Sequence, residues 1–251
     1  FRAVGSSQSL SFPLTVLTTI VAEAIEDLAT KLQDTLGKKK SKKALEAALQ
    51  AVIAESIAEH MPIIFNGDGY SDAWHTEAEE ERGLLNLRTT PDALDQMMGE
   101  KNVAVFEKYE VLSEAELGSR HEVFSEQYAI TLNIEAATTL SIAKTMVLPA
   151  AIAYLKDIVE TIDEAGDDLK LDGMAAIAKD VNTSINALQK ASVALKKALA
   201  GAHKAKDEPR YMVTKVVPAM AKVRAACDDL EGELPYDLWP LPTYREMLFV
   251  K

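Results

Sequence analysis

Met174–Ala200 reads MAAIAKDVNTSINALQKASVALKKALA, and after a short polar break Val213–Leu230 reads VTKVVPAMAKVRAACDDL. In the first stretch Met174, Ile177, Val181, Leu188, Leu195 and Leu199 mark one face of a long helix, which Gly201 is expected to end. In the second, Val213, Val216, Met220, Val223, Cys227 and Leu230 alternate spacings of three and four, close to a coiled-coil seam. Pro218 falls inside that seam, so a bend is expected there. Cys227, on the stripe, reads as a small core residue rather than a nucleophile.

The same signal recurs upstream. Leu14, Leu17, Val21, Ala24, Ile25, Leu28 and Leu32 form an apolar stripe behind Pro13, closed by Gly37 and the Lys38-Lys39-Lys40 run. Ser41 is placed to cap the next helix, whose stripe is Leu45, Ala48, Leu49, Val52, Ile53 and Ile57. Ser113 with Glu116 has capping-box spacing, so a helix should begin near Glu114. Pro149 should kink or break it, while Leu148, Ile152, Leu155, Val159 and Ile162 carry the stripe on to a turn at Gly166-Asp167-Asp168. Between Pro62 and about residue 100 the chain is irregular, with a short helix predicted over Ser71–Glu81 and another at Pro91 behind a Thr90 cap. Several long helices with short connections predict a mainly α protein, an antiparallel helical bundle. The tail from Leu234 is expected to dock as an irregular segment with a short helix. The expected segments are 1–36, 37–112 (helix and irregular loop), 113–233 (long-helix bundle) and 234–251 (docking tail).

At 251 residues, with 48% apolar and 6% aromatic residues, the chain can bury a core and leans toward long helices. Its formal charge of −12 argues against a nucleic-acid partner. One cysteine cannot form an internal disulfide, which points to a reducing compartment and a cytoplasmic location. No apolar run approaches the roughly 18 residues of a membrane span, so no membrane partner is expected.

Chemistry-bearing residues are sparse. The histidines are His60, His75, His121 and His203; no Glu-x-x-His motif accompanies them, and no metal site is expected within the chain. Asn66–Asp72 (NGDGYSD) suggests a calcium loop until its sixth position, where Ser71 replaces the required Gly. A polar turn capping the following helix is the better reading. Glu77, Glu79, Glu80 and Glu81 wind around a helix and read as a solvated face. No glycine-rich phosphate loop followed by Lys is present.

Three stretches, in order, carry a family resemblance: FRAVGSSQS at residues 1–9, NGDGYSDAWHTEA followed by RGLLNLRTTPDAL over 66–94, and WPLPTYREMLF over 239–249. Together they resemble the C-terminal region of type III glutamine synthetases. The resemblance implies that Phe1-Arg2 closes a Glu-x-Arg strand motif whose Glu precedes the chain. It follows that a short N-terminal strand is left from an α+β catalytic domain occupying the first segment, 1–36. Arg2 would bind substrate, since a guanidinium makes bidentate bonds to carboxylate or phosphate and stabilises charge developing in phosphoryl transfer. From residue type alone Arg2 would be a surface strand residue. No catalytic residue is expected here. The resemblance further implies ATP and Mg2+ (or Mn2+), bound mostly by residues outside the chain. Implied partners are glutamate, ammonia, the catalytic half of the polypeptide, and other subunits of a ring-shaped homo-oligomer, a dodecamer. The chain by itself is expected to be inactive. The alternative is a stand-alone helical interaction or scaffold module without catalysis.

Overall fold

A computed structural model describes residues 8–39, 41–166 and 169–248. Arg2, the N-terminal strand expected around it, and Asp167-Asp168 of the expected turn lie outside the described residues. The described residues are helical, with no strand among them, in agreement with the mainly α bundle. The chain divides between Val123 and Phe124 into two compact units.

The first unit opens with α1 (Ser11–Leu36) and α2 (Lys42–His60), which pack on each other. Gly37 ends α1 at φ +56°, a left-handed conformation natural to glycine. Ser41 caps α2 by accepting a hydrogen bond from the Ala44 N–H at 3.2 Å. Short helices follow: α3 (Asp72–Thr76), continued by a π turn over Glu77–Glu81, then α4 (Thr90–Asp95) and α5 (Glu100–Lys108). The cap of α4 is Thr89 rather than Thr90. Thr89 has extended backbone and its hydroxyl accepts from the Asp92 N–H, which places Thr90 inside the helix ahead of Pro91. α6 (Glu114–Ile142) starts at the expected capping box: the Ser113 N–H donates to Glu116 Oε2 at 2.8 Å, and the Glu116 N–H to Ser113 Oγ at 3.3 Å.

The stripes of α1 and α2 have the expected period, yet most of their large residues are not buried. Leu14, Leu17, Val21, Ile25 and Leu28 are 41–63% exposed, as are Ile53 and Ile57 of α2. Thr19, Ala48 and Val52 are the residues this hairpin buries.

The second unit is a three-helix bundle whose core repeats by sevens. α7 (Leu148–Ala165), α8 (Asp172–Ala202) and α10 (Val217–Glu233, after the single turn α9, Glu208–Tyr211) supply it together with α6. On α8 the buried apolar positions are Val181, Leu188, Leu195 and Ala202; on the last helical segment, the π turn and α10, they include Val216, Val223 and Leu230, all without measurable exposure. Ala129 and Ala136 of α6 and Ala143 just beyond its end keep the same interval, and Ala151 and Ile158 of α7 resume it one residue late. That one-residue slip falls on a π turn, Ala143–Val147. Pro149 does not break the helix, which runs on through it. It has no N–H for a carbonyl four residues back, and the wider turn just before it, closed by the Leu148 N–H on the Ala143 carbonyl, absorbs the defect. Pro218 is handled identically by a π turn over Met212–Val216. Gly201 does not stop α8, which runs to Ala202. A Cβ there would crowd the Tyr211 ring, 3.1 Å from Cζ. Trp239 and Leu241 of the tail pack against this core, ahead of α11 (Tyr244–Leu248).

By length and composition the continuous helix Glu114–Ala165 could cross a membrane, with an 18-residue window of mean hydropathy 1.4 that is 22% buried. Its threonines and serines hide this window from a search for unbroken apolar runs.

Candidate functional site

The irregular segment of the first unit is held from within. Asp68 starts it as an Asx turn, its carboxylate accepting the Tyr70 N–H at 3.0 Å. The Ser71 hydroxyl donates to the Asp68 carbonyl and accepts from the Trp74 N–H, capping α3 as the polar-turn reading expects. Trp74 stacks on Phe65, ring centroids 3.8 Å apart and 17° from parallel. Gly67 allows this, since a Cβ would stand 2.5 Å from the Phe65 ring. The Arg82 guanidinium lies over Trp74 at 4.8 Å and donates to the carbonyls of Pro62 and Ile64 and to Glu77 Oε1. One side chain therefore closes the loop with four hydrogen bonds and two ring contacts, using the whole guanidinium fork. Tyr70 and Leu85 stand out from it, each more than 70% exposed.

The acidic run divides. Glu77 holds Arg82, and Glu79 accepts from Asn86 Nδ2 at 2.5 Å with Arg88 at 3.9 Å; Glu80 and Glu81 face solvent. His75 Nδ1 is buried with no hydrogen-bond partner and lies 3.9 Å from Asp72 Oδ1. The other histidines have local partners: His60 the Ser56 carbonyl, His121 the Asp95 carboxylate, His203 the Glu208 carboxylate. Among the described residues no three His, Cys, Asp or Glu side chains converge in a way that could hold a metal ion.

A polar cluster that sequence reading missed ties α5 to α1. Lys108 Nζ contacts Glu23 at 2.7 Å and Glu26 at 3.1 Å, and the Tyr109 hydroxyl donates to both carboxylates. Lys108 holds the Glu23 carboxyl below the usual range, and Tyr109 does the same for Glu26. The carboxylates in turn push Lys108 up and Tyr109 up to about 12. Glu23 and Glu26 share a face at i, i+3, the available sequence signal, but nothing local linked them to residues some 85 positions away.

Beside this cluster runs a groove of 810 Å³, floored by Phe12, Val16, Ile20 and Phe106. Its rim is internally paired, with Lys31 bound to Asp27 and Glu59 at 3.1 Å each. In the second unit Cys227 is half-buried and burial pushes its thiol up, as suits a core residue.

Comparison with known proteins accords with the sequence motifs. Residues 48–165 match the family model of the glutamine synthetase C-terminal domain. The whole chain is 34% identical to a type-3 glutamine synthetase of Dictyostelium discoideum and 28% identical to a glutamine synthetase of Bacteroides fragilis, covering 35% of each. A glutamine synthetase of Butyrivibrio fibrisolvens is 29% identical over 77% of the chain, which covers 28% of that protein. The chain thus spans about a third of the length of the relatives it matches.

Proposed function

We propose, from the premise that this chain belongs with the type III glutamine synthetases as a counterpart of their C-terminal region, that it serves an ATP-dependent glutamate–ammonia ligase. Its role there is structural: it docks on the remaining polypeptide and shapes the contacts of a cytoplasmic homo-oligomer, a ring-shaped dodecamer. One observation carries this reading. The apolar stripe of α1 lies open in a chain that matches only about a third of its relatives, Leu17 and Ile25 being 50% and 63% exposed. Apolar surface of that extent calls for a cover, and the longer relatives have polypeptide to supply it.

The described residues do not fit a divalent-cation site, so no step through metal or nucleotide is assigned to them. Mg2+ (or Mn2+) and ATP belong, on this proposal, to the polypeptide outside the chain. Arg2 is the chain's own contribution to the reaction. Its guanidinium would orient glutamate and balance the charge that builds as the γ-carboxylate takes up a phosphoryl group.

The test is ammonia-dependent phosphate release from ATP with glutamate as co-substrate. The chain alone should be inactive, and the full-length enzyme active. In the full-length enzyme Arg2→Ala should lower kcat by about a hundredfold or more, with Arg2→Lys recovering little. Glutamine formation by the chain alone, or an unimpaired Arg2→Ala enzyme, would remove the proposal's basis.

A further inference from the structure

The charges of the second unit are sorted along the chain. Residues 181–206 hold five lysines and no carboxylate, and residues 209–227 hold two lysines and two arginines, again with no carboxylate. Residues 157–180 hold eight carboxylates against two lysines, and residues 228–246 hold six against one arginine. The antiparallel bundle turns this sorting into two poles. α8 ends at a turn where His203 Nε2 lies 3.4 Å from Asn133 Nδ2 of α6, and the last helical segment starts back from that turn, so the lysine-bearing parts of both stand side by side. At the other pole the Ser184 hydroxyl of α8 donates to Glu233 Oε1 at 2.8 Å, which sets the acidic end of α10 beside the start of α8, where α7 also ends.

In the basic half Lys190, Lys197 and Lys204 stand two residues after buried Leu188, Leu195 and Ala202, one line on the outer face of α8. The line is about 20 Å long at 1.5 Å per residue. All three are exposed, as are Lys196, Lys215 and Lys222. None of these six is in an ion pair among the described residues, where the paired lysines are Lys31, Lys42, Lys108 and Lys156. The carboxylates of this half are Glu126 and Glu135 on α6 and Asp207 and Glu208 in the turn; the last two are held by Arg210 at 3.1 Å and His203 at 3.3 Å. In the acidic half Asp157, Asp163, Glu164 and Asp229 are exposed, and among the described residues they too lack an ion-pair partner. Like charges gathered on one side repel one another. Neither half holds the counter-charge that would relieve this, and each half is the complement of the other.

We propose that the lysine-bearing half of this bundle is where the carboxylate-bearing half of a second copy docks, head to tail. The inference deepens the subunit-shaping role proposed above and rests on it. Charge decides both the occupant and the direction. An isologous contact through either half sets like charges against each other, whereas a heterologous contact matches lysine with carboxylate. Such a contact leaves one half free on each end copy, so it extends until the copies close on themselves. A nucleic acid would offer the lysines phosphate. It would also have to approach a chain of charge −12, and it leaves the acidic half unmatched. A second copy answers both halves at once.

Sedimentation equilibrium of the 251-residue chain tests this. Self-association should appear at low salt and weaken about tenfold or more as ionic strength rises to about 1 M, where charges are screened within about 3 Å. Lys190→Glu with Lys197→Glu should leave the chain monomeric, and so, separately, should Asp163→Lys with Asp229→Lys. All four side chains are exposed, so helix content should not change. Mixed in equal amounts, the two double variants should associate again, because one keeps an intact acidic half and the other an intact basic half. A chain that is monomeric at low salt overturns the inference, as does a mixture that stays monomeric. Association unmoved by salt and by both double variants, of the kind the open α1 stripe would give, also overturns it while leaving the subunit-shaping role in place. Binding of a DNA duplex that Lys190→Glu, Lys197→Glu removes would assign the lysines to a phosphate backbone instead. None of these readouts depends on ligase activity.

Discussion

The α1–α2 hairpin and the α6–α10 bundle carry the same sequence signal and meet opposite fates. Leu17 on α1 and Leu188 on α8 both sit on stripes spaced by three and four. Leu188 has no exposed surface, whereas Leu17 is 50% exposed. The difference lies in what each stripe can reach. α8 has two long neighbours whose sevenfold repeats match its own, while α1 has one neighbour and the short α5. Periodicity therefore shows that a face needs cover, and only the neighbours decide whether this chain provides it.

Substitution at those two leucines sharpens the contrast most. Leu188→Ala should destabilise the second unit by about 3 kcal/mol, the lost transfer energy plus a cavity. Leu17→Ala, already half in water, should cost less than about 1 kcal/mol. Denaturant unfolding of the chain gives both values, and equal effects would erase the distinction. Next in size is Arg82→Ala. It frees the carbonyls of Pro62 and Ile64 together with Glu77, at about 2 kcal/mol locally. In a Trp239→Phe background the Trp74 emission should shift toward that of a solvated indole, and Arg82→Lys should not restore it. Ser113→Ala removes one half of the capping box on α6 and should cost about 1 kcal/mol, read from the same unfolding curves.

The elements themselves were legible because they rest on local physics: Ser41, Ser71 and Ser113 cap helices where residue type and spacing put them. Thr89 was misread by one position because two adjacent threonines offer the same cap and only backbone conformation separates them. The π turns were not legible. Proline announces a defect in the ladder, but the response depends on whether the core repeat must be kept in phase, as it is from Ala143 to Ala151. Within the candidate site the polar turn was visible, whereas Arg82's four bonds were not, since two of its acceptors are carbonyls that any residue could present.

The smallest expected effect concerns the α1–α5 tie. Glu23 and Glu26 are held below the usual carboxylate range, so their contribution is present at neutral pH and is lost as pH falls through those lowered values. Tyr109 runs the other way. Its contribution is present below the ordinary phenol value of ~10 and disappears as pH rises through about 12. Tyrosinate absorbance during alkaline titration should lose its component near pH 12 in Tyr109→Phe, while the phenol of Tyr128, also pushed up by burial, remains; Tyr109→Phe should also flatten the acid limb of the stability profile.

The central claim is that the α1–α2 stripes are built for a cover that the longer polypeptide supplies. Backbone amide hydrogen exchange, followed in the chain alone and in the longer polypeptide of the proposal, tests it most directly. The α1–α2 amides should exchange far more slowly in the longer polypeptide, while α8 and α10 amides exchange alike in both. Equal exchange of α1 in the two proteins would contradict it.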